Sequence, residues 1–353
     1  MATIKEQTKH LWQLCFQDSI AFTELYFEKR YRDERNLSIE RKGQVVAALQ
    51  LLPYPMSFYD TVVPMNYISG ACTHPDFRNQ GLMSTLLQQA LETMIQRGSA
   101  FTTLIPAEPW LFDYYARFGY APVFQTYDMV HQNHSAELHN LQPDEEVTCI
   151  KDEEELEEIT QWMDKVYKKQ YDCSVLHSSE DLQVVYASQL LDGGHTYILK
   201  RRGRIQAVAF ATPTTTDNWR IEELLAIDPQ SEVRLLQYIY HIHQASEITL
   251  TTSYSTADTV DSSRLLGMAR ILQVHKVLQI YAQKHQNLEL HLQIEDKQIP
   301  MNNGYYMLTQ GQCKHSNLPF TESYISYTVG ELSRKLLAPL HPHMSLMLNC
   351  LSP

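Results

Sequence analysis

Apolar and polar positions alternate along this chain in a way that resolves into three successive segments. Residues 4–31 carry apolar side chains at helical spacing in two blocks, with Gln17-Asp18-Ser19 as a break and N-cap between them. Two strand-like runs follow, around Leu37–Arg41 and Val45–Leu52, joined by the turn Lys42-Gly43. Asn66 to Thr73 reads as a strand of β-formers and small residues that stops at His74-Pro75, where proline ends ladder pairing. From Gly81 to Gln96 the apolar set Leu82, Leu86, Leu87, Ala90, Leu91, Met94 and Ile95 forms one helical stripe, with Gly98 placed as a C-cap. A strand over Phe101–Ile105 and a short helix around Trp110–Arg117 complete the first segment, a mixed α/β layer pattern.

The second segment begins near residue 145. Asp152-Glu153-Glu154-Glu155 before Leu156 and Ile159 places acidic groups in a first helical turn, where the helix dipole favours them. Strands over Thr196–Lys200 and Ile205–Ala211 flank the turn Arg201–Arg204, then a strand over Trp219–Ala226 leads to Asp228-Pro229 and a helix over Val233–His243. This repeats the layout of the first segment from its hairpin onward, without residue identity. The third segment is expected to open with a helix over Arg264–His285, followed by strands at Glu289–Ile294, Gly304–Leu308 and Tyr324–Thr328 and a helix at Val329–Leu336.

Composition narrows the function classes. Hydrophobic residues at 44 % supply ample core for 353 residues, which suggests two or three domains. The formal net charge of -12 argues against nucleic acid as a main partner, since phosphate binding needs basic surface. It is compatible with a cationic amine substrate, although acidity alone mostly reports solubility. Asp18 and Glu24 lie near the first helices for such an amine, but helix capping and solvated surface are their more ordinary roles. No signal peptide and no membrane-spanning run are read, so a cytoplasmic protein without membrane association is expected. Six cysteines without a C-x-x-C pair fit free thiols in a reducing compartment. His241 with His243, and His341 with His343, invite a metal reading. An i, i+2 pair on a helix points to different faces and lacks a carboxylate at ligand spacing, so no metal is expected.

The stretch richest in chemistry is Cys72-Thr73-His74-Pro75-Asp76-Phe77-Arg78-Asn79-Gln80-Gly81-Leu82-Met83. A strand entering a tight turn and then a helix leaves backbone N–H groups unpaired at the helix start. With the helix dipole they make an anion site suited to a pyrophosphate. Gly81 permits close approach and Arg78 adds a charge. About one helix and one strand later comes Leu111-Phe112-Asp113-Tyr114-Tyr115-Ala116-Arg117-Phe118-Gly119-Tyr120.

Together these resemble the GNAT acetyltransferase family, through its R/Q-x-x-G-x-G/A motif and its later tyrosine helix before an aromatic-Gly-aromatic sequence. Met83 departs from the Gly or Ala usual in the motif. The three-part layout is similar to Eis-type (enhanced intracellular survival) acetyltransferases, and this likeness covers nearly the whole chain. It implies an α/β (α+β) protein of tandem GNAT folds, with mixed central sheets flanked by helices, plus a small α+β sterol-carrier-like domain. The expected boundaries are 1–135 for the acetyl-CoA-binding domain, 145–258 for a degenerate GNAT domain and 262–353 for the sterol-carrier-like domain. The marks of the last are Gly267 to Val274 and Asp296 followed by Asn302-Asn303-Gly304-Tyr305. In the second module, Asp228 to Val233 lacks both the arginine and the glycine, so no CoA is expected there. Oligomers are implied without a fixed number.

The resemblance implies acetyl-CoA-dependent transfer to a primary amine on a small molecule or a lysine, with no metal. Ala71, Cys72 and Thr73 would hold the pantetheine and acetyl carbonyl, and their backbone donors would stabilise a developing oxyanion. Asn79, Gln80, Gly81, Leu82, Met83 and Ser84, with Arg78, would cradle the pyrophosphate, and Trp110 would contribute to the cofactor site. Tyr115 takes the position of the general acid, with Tyr114 the alternative if the helix register differs. The C-terminal carboxylate, here of Pro353, takes the general-base role, with a water-relayed base as the competing option. The family's aromatic terminus is absent. Covalent catalysis by Cys72 would need an activating base, and a strand cysteine is more often core. The alternative from another class is a protein that binds acyl-CoA or a lipid-like ligand without turnover.

Overall fold

A computed structural model describes residues 2–132, 141–153, 155–253 and 263–347. The first helix, α1 (Ile4–Cys15), is opened by a capping box in which Thr3 and Glu6 exchange hydrogen bonds. Ser19 caps α2 (Ile20–Lys29) through its hydroxyl, which accepts from the Phe22 N–H. Strands β1 (Asn36–Arg41), β2 (Gln44–Phe58) and β3 (Thr61–Thr73) form an antiparallel meander. Then come α3 (Leu82–Gln96), β4 (Phe101–Leu104), α4 (Pro109–Ala116) and β5 (Ala121–Gln132).

The second module follows with β6 (Glu145–Cys149), α5 (Glu155–Gln170), β7 (Cys173–Val175), α6 (Ser179–Leu191), β8 (His195–Arg201), β9 (Arg204–Pro213), β10 (Asn218–Ala226), α7 (Pro229–His243) and β11 (Glu247–Thr252). The last segment supplies β12 (Ser263–Ile271), α8 (Val274–Lys284), β13 (Leu290–Glu295), β14 (Gly304–Thr309), β15 (Gln312–Ser316), β16 (Ile325–Thr328) and α9 (Val329–Leu337). The architecture is mixed α/β, with one large sheet and one small sheet flanked by helices.

Among the described residues, the large sheet runs β1-β2-β3-β4-β12-β5-β11-β10-β9-β8-β6, with β7 paired to the far half of β2. The two modules meet edge to edge where β5 pairs antiparallel with β11, Tyr127 to Gln132 facing Thr252 to Glu247. The small sheet has the order β15-β14-β13-β16. No described helix is long and apolar enough to cross a membrane.

One expectation fails clearly. Residues 264–271, anticipated as the start of a long helix, form β12, which inserts between β4 and β5. Its inner half, Gly267 to Ile271, is buried on both faces. A strand covered on both sides shows an unbroken apolar run, and periodicity cannot separate that from a buried helix. Gly267 is required by closeness: a Cβ there would lie 3.0 Å from the Leu104 carbonyl oxygen. The last segment therefore contributes to both sheets.

Among the described residues, two Arg–Asp pairs with both side chains buried cross between parts of the chain. Arg30 at the end of α2 pairs with Asp181 in the first turn of α6, and also donates to the Tyr54 hydroxyl at 2.6 Å. Arg270 on β12 pairs with Asp296 just after β13. Each brings helices or sheets from distant sequence together at a charged contact shut off from water.

Candidate active site

The first module opens a gap in its own sheet. β3 and β4 pair in parallel only over Met65–Tyr67 and Phe101–Thr103, and residues 68–73 run on beyond that pairing. Opposite them, β2 pairs Ala48 with Cys72 and Gln50 with Ser69, so Gly70 and Ala71 lie in a bulge. Gly70 has φ +60 there, and a Cβ would land 2.1 Å from the Trp12 ring. Only glycine fits, which makes the small residues of this strand a structural requirement.

At the end of β3 the chain turns sharply. Arg78 Nε donates to the Thr73 carbonyl at 3.2 Å, which ties the loop back to the strand. Asn79 and Gly81 both take positive φ, +61 and +76, and Gly81 is the N-cap of α3 without a side-chain hydrogen bond to the first turn. Nothing lies within 4 Å of the point where a Gly81 Cβ would sit. Successive N–H groups at such a turn, added to the helix dipole, make an open concavity for an anion. These residues therefore fit the pyrophosphate of a CoA thioester. Leu82 is buried, Met83 and Ser84 are half-buried, and Asn79, Gln80 and Gly81 face solvent.

Helix α4 stands across the gap. Tyr115 is 7 % exposed and packs with Leu82, Leu86 and Tyr120. Burial pushes its phenol well above the ordinary value, and the neighbouring Tyr120, Tyr114 and Cys72 push the same way. Its neighbour Tyr114 points to the phosphate loop instead, its hydroxyl 3.2 Å from Ser84 Oγ. The helix thus presents one tyrosine to the apolar interior and one to α3. Trp110 in the first turn is 64 % exposed.

On the other face of β3, Cys72 is buried against Leu11, Val45 and Ala48. The thiol of Cys15, at the end of α1, donates to the Thr73 carbonyl at 3.5 Å. A hydrogen bond from Cys72 lowers the Cys15 thiol to about 7; burial opposes this and the Arg78 guanidinium assists it. His74 Nδ1 accepts from the Asp76 N–H at 3.2 Å, so that imidazole serves the turn.

The second module carries the same bulge but closes its helix end. β10 and β11 pair in parallel over Asn218–Ile221 and Glu247–Leu250, and the β9 register shifts between Ile221 and Glu223. The N-cap of α7 is Asp228, whose carboxylate accepts from the Ser231 N–H at 2.9 Å. A carboxylate occupies the position that Gly81 leaves open in the first module. A second anion would meet like charge there.

Of the residues singled out from the sequence, Ala71, Leu82, Met83 and Tyr115 share one core cluster, Arg78 is bonded to Thr73, Asn79, Gln80 and Gly81 form the turn before α3, Ser84 meets Tyr114, Cys72 faces α1 on the other side of β3, and Trp110 lies in the first turn of the helix that carries Tyr115. Pro353 lies outside the described residues. Among the described residues no group of three or more His, Cys, Asp and Glu is arranged for a metal ion. His243 stacks on Trp219 at 3.6 Å between centroids and lies 2.7 Å from the Tyr197 hydroxyl, and His343 pairs with Glu223. Sequence reading missed the Ser84–Tyr114 contact and the Glu223–His343 pair. The latter joins residues 120 apart, and nothing local signals it.

Residues 3–123 match the family model described as the acetyltransferase (GNAT) domain. No curated protein matches the sequence. Solved structures similar to the chain include a conserved protein of unknown function from Enterococcus faecalis, titled a probable N-acyltransferase. It has a TM-score of 0.78 and 15 % identity, covering 94 % of this chain and 86 % of the other. Eis1 from Mycobacterium abscessus gives a TM-score of 0.71 at 13 % identity, covering 94 % and 87 %. A GCN5-related N-acetyltransferase from Kribbella flavida gives 0.72 at 15 %, covering 96 % and 94 %. The likeness to the acetyltransferase (GNAT) domain thus spans residues 3–123, within a fold shared over nearly the full length of the chain with these structures.

Proposed function

We propose that the chain is an N-acetyltransferase that moves the acetyl group of acetyl-CoA directly to a primary amine. The observation that carries this reading is the coincidence of three features at one gap. These are the short parallel β3–β4 pairing, the open Gly81 helix cap and the buried Tyr115, which shares a core cluster with Leu82 of α3, and they support the reading.

Acetyl-CoA supplies an activated acyl carbonyl to this gap. The main chain of Ala71, Cys72 and Thr73 holds the pantetheine and orients that carbonyl. N–H groups from Asn79 to Ser84, with Arg78 beside them, take the pyrophosphate. Tyr115 stays protonated throughout, because burial raises its phenol. Full proton transfer from so weak an acid to a free thiolate is uphill, since a thiol titrates near about 8.5. The phenol therefore acts by donating to sulfur as charge builds in the transition state.

The amine must lose a proton, and the Pro353 carboxylate is the candidate base. Met347, the last described residue, packs against the core of the first module. The remaining residues can span on the order of 20 Å when extended. A water relay is the competing base.

The test is thiol release from acetyl-CoA against a panel of amines, comparing the wild type with Tyr115→Phe. Turnover that collapses in the variant supports the reading. Acetyl-CoA binding without turnover on any amine would move the chain to the sensor class, and no binding at all would sink the proposal.

A further inference from the structure

The C-terminal segment does not lie free on the surface. After α9 it passes between the two modules, where His343 makes strand-like bonds with β7: its N–H donates to the Cys173 carbonyl and its carbonyl accepts from the Val175 N–H, both at 3.0 Å. The imidazole enters the second module. Nε2 donates to the Glu223 carboxylate at 3.0 Å, Nδ1 lies 3.0 Å from Ser253 Oγ, and the ring stacks on Tyr171 at 4.5 Å between centroids. Two residues on, Ser345 Oγ is 3.3 Å from the Tyr167 hydroxyl, and its carbonyl accepts from His177 Nε2 at 3.0 Å.

The location of this contact gives it meaning. Glu223 follows the β10 bulge as Cys72 follows the β3 bulge, and Ser253 follows β11. In the first module that part of the sheet borders the gap proposed for acyl transfer. In the second, the chain's own tail occupies the corresponding place. Glu223 and His343 are 4 % and 5 % exposed, so a charged group has been kept in an apolar interior with His343 as its close partner. The tail runs along the border of the two cores: Met344 is buried in the cluster that holds Trp12 and Phe27 of the first module, Leu346 is buried in that of the second, and Met347 packs back against the first.

We propose that Glu223, Ser253, Tyr167 and Tyr171 form a seat for the C-terminal segment, keyed by His343, and that this seat positions the last residues for acyl transfer in the first module. The degenerate module is then a jig for the tail. This inference rests on the reading of the terminal carboxylate as the base. Glu223 and His343 are positioning residues: they act through the tail and touch no substrate.

The test uses the full chain with His343→Gln, a chain ending at Met347, and the two changes combined. Trimming by carboxypeptidase Y, followed by mass, reads the seat without reference to activity. In the wild type trimming halts before Ser345, and in His343→Gln it runs past residue 343 at least about tenfold faster. In kinetics, His343→Gln lowers kcat about tenfold with KM for acetyl-CoA within about twofold, and the combined variant loses no more than the shortened chain alone. Unchanged trimming overturns the seat, even if shortening the chain lowers kcat. Unchanged kcat in the shortened chain overturns the terminal base and the positioning role with it, whatever the trimming shows. Additive losses overturn the claim that His343 acts through the tail. Ser253→Ala, which deletes a single bond to the imidazole, is read the same way if His343→Gln does not fold.

Discussion

Arg270 and Asp296 both have side chains shut completely from solvent, and Arg270 Nη2 donates to both carboxylate oxygens of Asp296 at 2.6 and 2.7 Å. The same guanidinium donates to the Phe118 carbonyl, in the turn that follows Tyr115. Asp296 also accepts from the N–H groups of Gln298 and Ile299 at 3.0 Å and from Asn302 at 2.9 Å. The small sheet is thereby fastened to the end of α4. Gly119, with φ +79, has room for no Cβ, because Arg270 and Val329 would each stand 2.7 Å from it.

Removing one partner leaves a buried charge uncompensated. Asp296→Ala is expected to destabilise the protein by roughly 3–5 kcal/mol, read from the urea midpoint. A double change of Arg270 and Asp296 to Met and Leu should cost less than either single change. A double variant that costs the sum of the two single changes would show that the pair is not coupled.

Gly81→Ala places a side chain at φ +76, a strained conformation worth about 1 kcal/mol. The methyl enters open space where phosphate oxygens are proposed to approach, so CoA affinity should fall about tenfold by calorimetry. Asp228→Gly, in the second module, should leave CoA stoichiometry at one per chain.

Tyr115→Phe removes only a hydroxyl and should leave the melting temperature nearly unchanged. Acetyl transfer should fall about a hundredfold, within the usual span for a general acid. Tyr114→Phe breaks the contact with Ser84 and should instead raise KM for acetyl-CoA with kcat preserved.

The Cys15 thiol is lowered from an ordinary 9.0 to about 7, chiefly by the hydrogen bond from Cys72. Its alkylation by iodoacetamide should rise with pH through a midpoint near 7 and level off above it. Cys173 and Cys313 are held protonated by burial and should stay unmodified in the folded protein. Because the Cys72 bond is the leading cause, Cys72→Ala should shift the midpoint upward, and Arg78→Gln should do so less. A midpoint unmoved by either change would contradict the assigned causes.

The elements that set up the gap were legible because their signals are local. Ser19 caps a helix three residues before its bonded N–H, Gly81 opens one where φ must be positive, and the α3 stripe repeats at helical spacing. What escaped depends on distance. β12 lost its alternation because both its faces are covered, and the β2 strand runs to Phe58, beyond the expected Leu52, because β7 arrives from the other module to cover it. Arg270, Asp296 and Asn302 stood out in the sequence as marks of the last segment. That they meet one another beneath Phe118 is a property of the assembled sheets.

The placement of β12 reaches into how the molecule is made. β4 and β5 do not touch each other across the sheet; a strand translated about 130 residues later fills the slot between them. As the chain leaves the ribosome, the first module waits through synthesis of the entire second module with two unpaired edges. Such long-range closure slows folding and leaves those edges open to the wrong neighbour. A fragment ending at residue 132 would contain the whole phosphate loop and Tyr115, yet would lack the wedge that holds its own sheet shut.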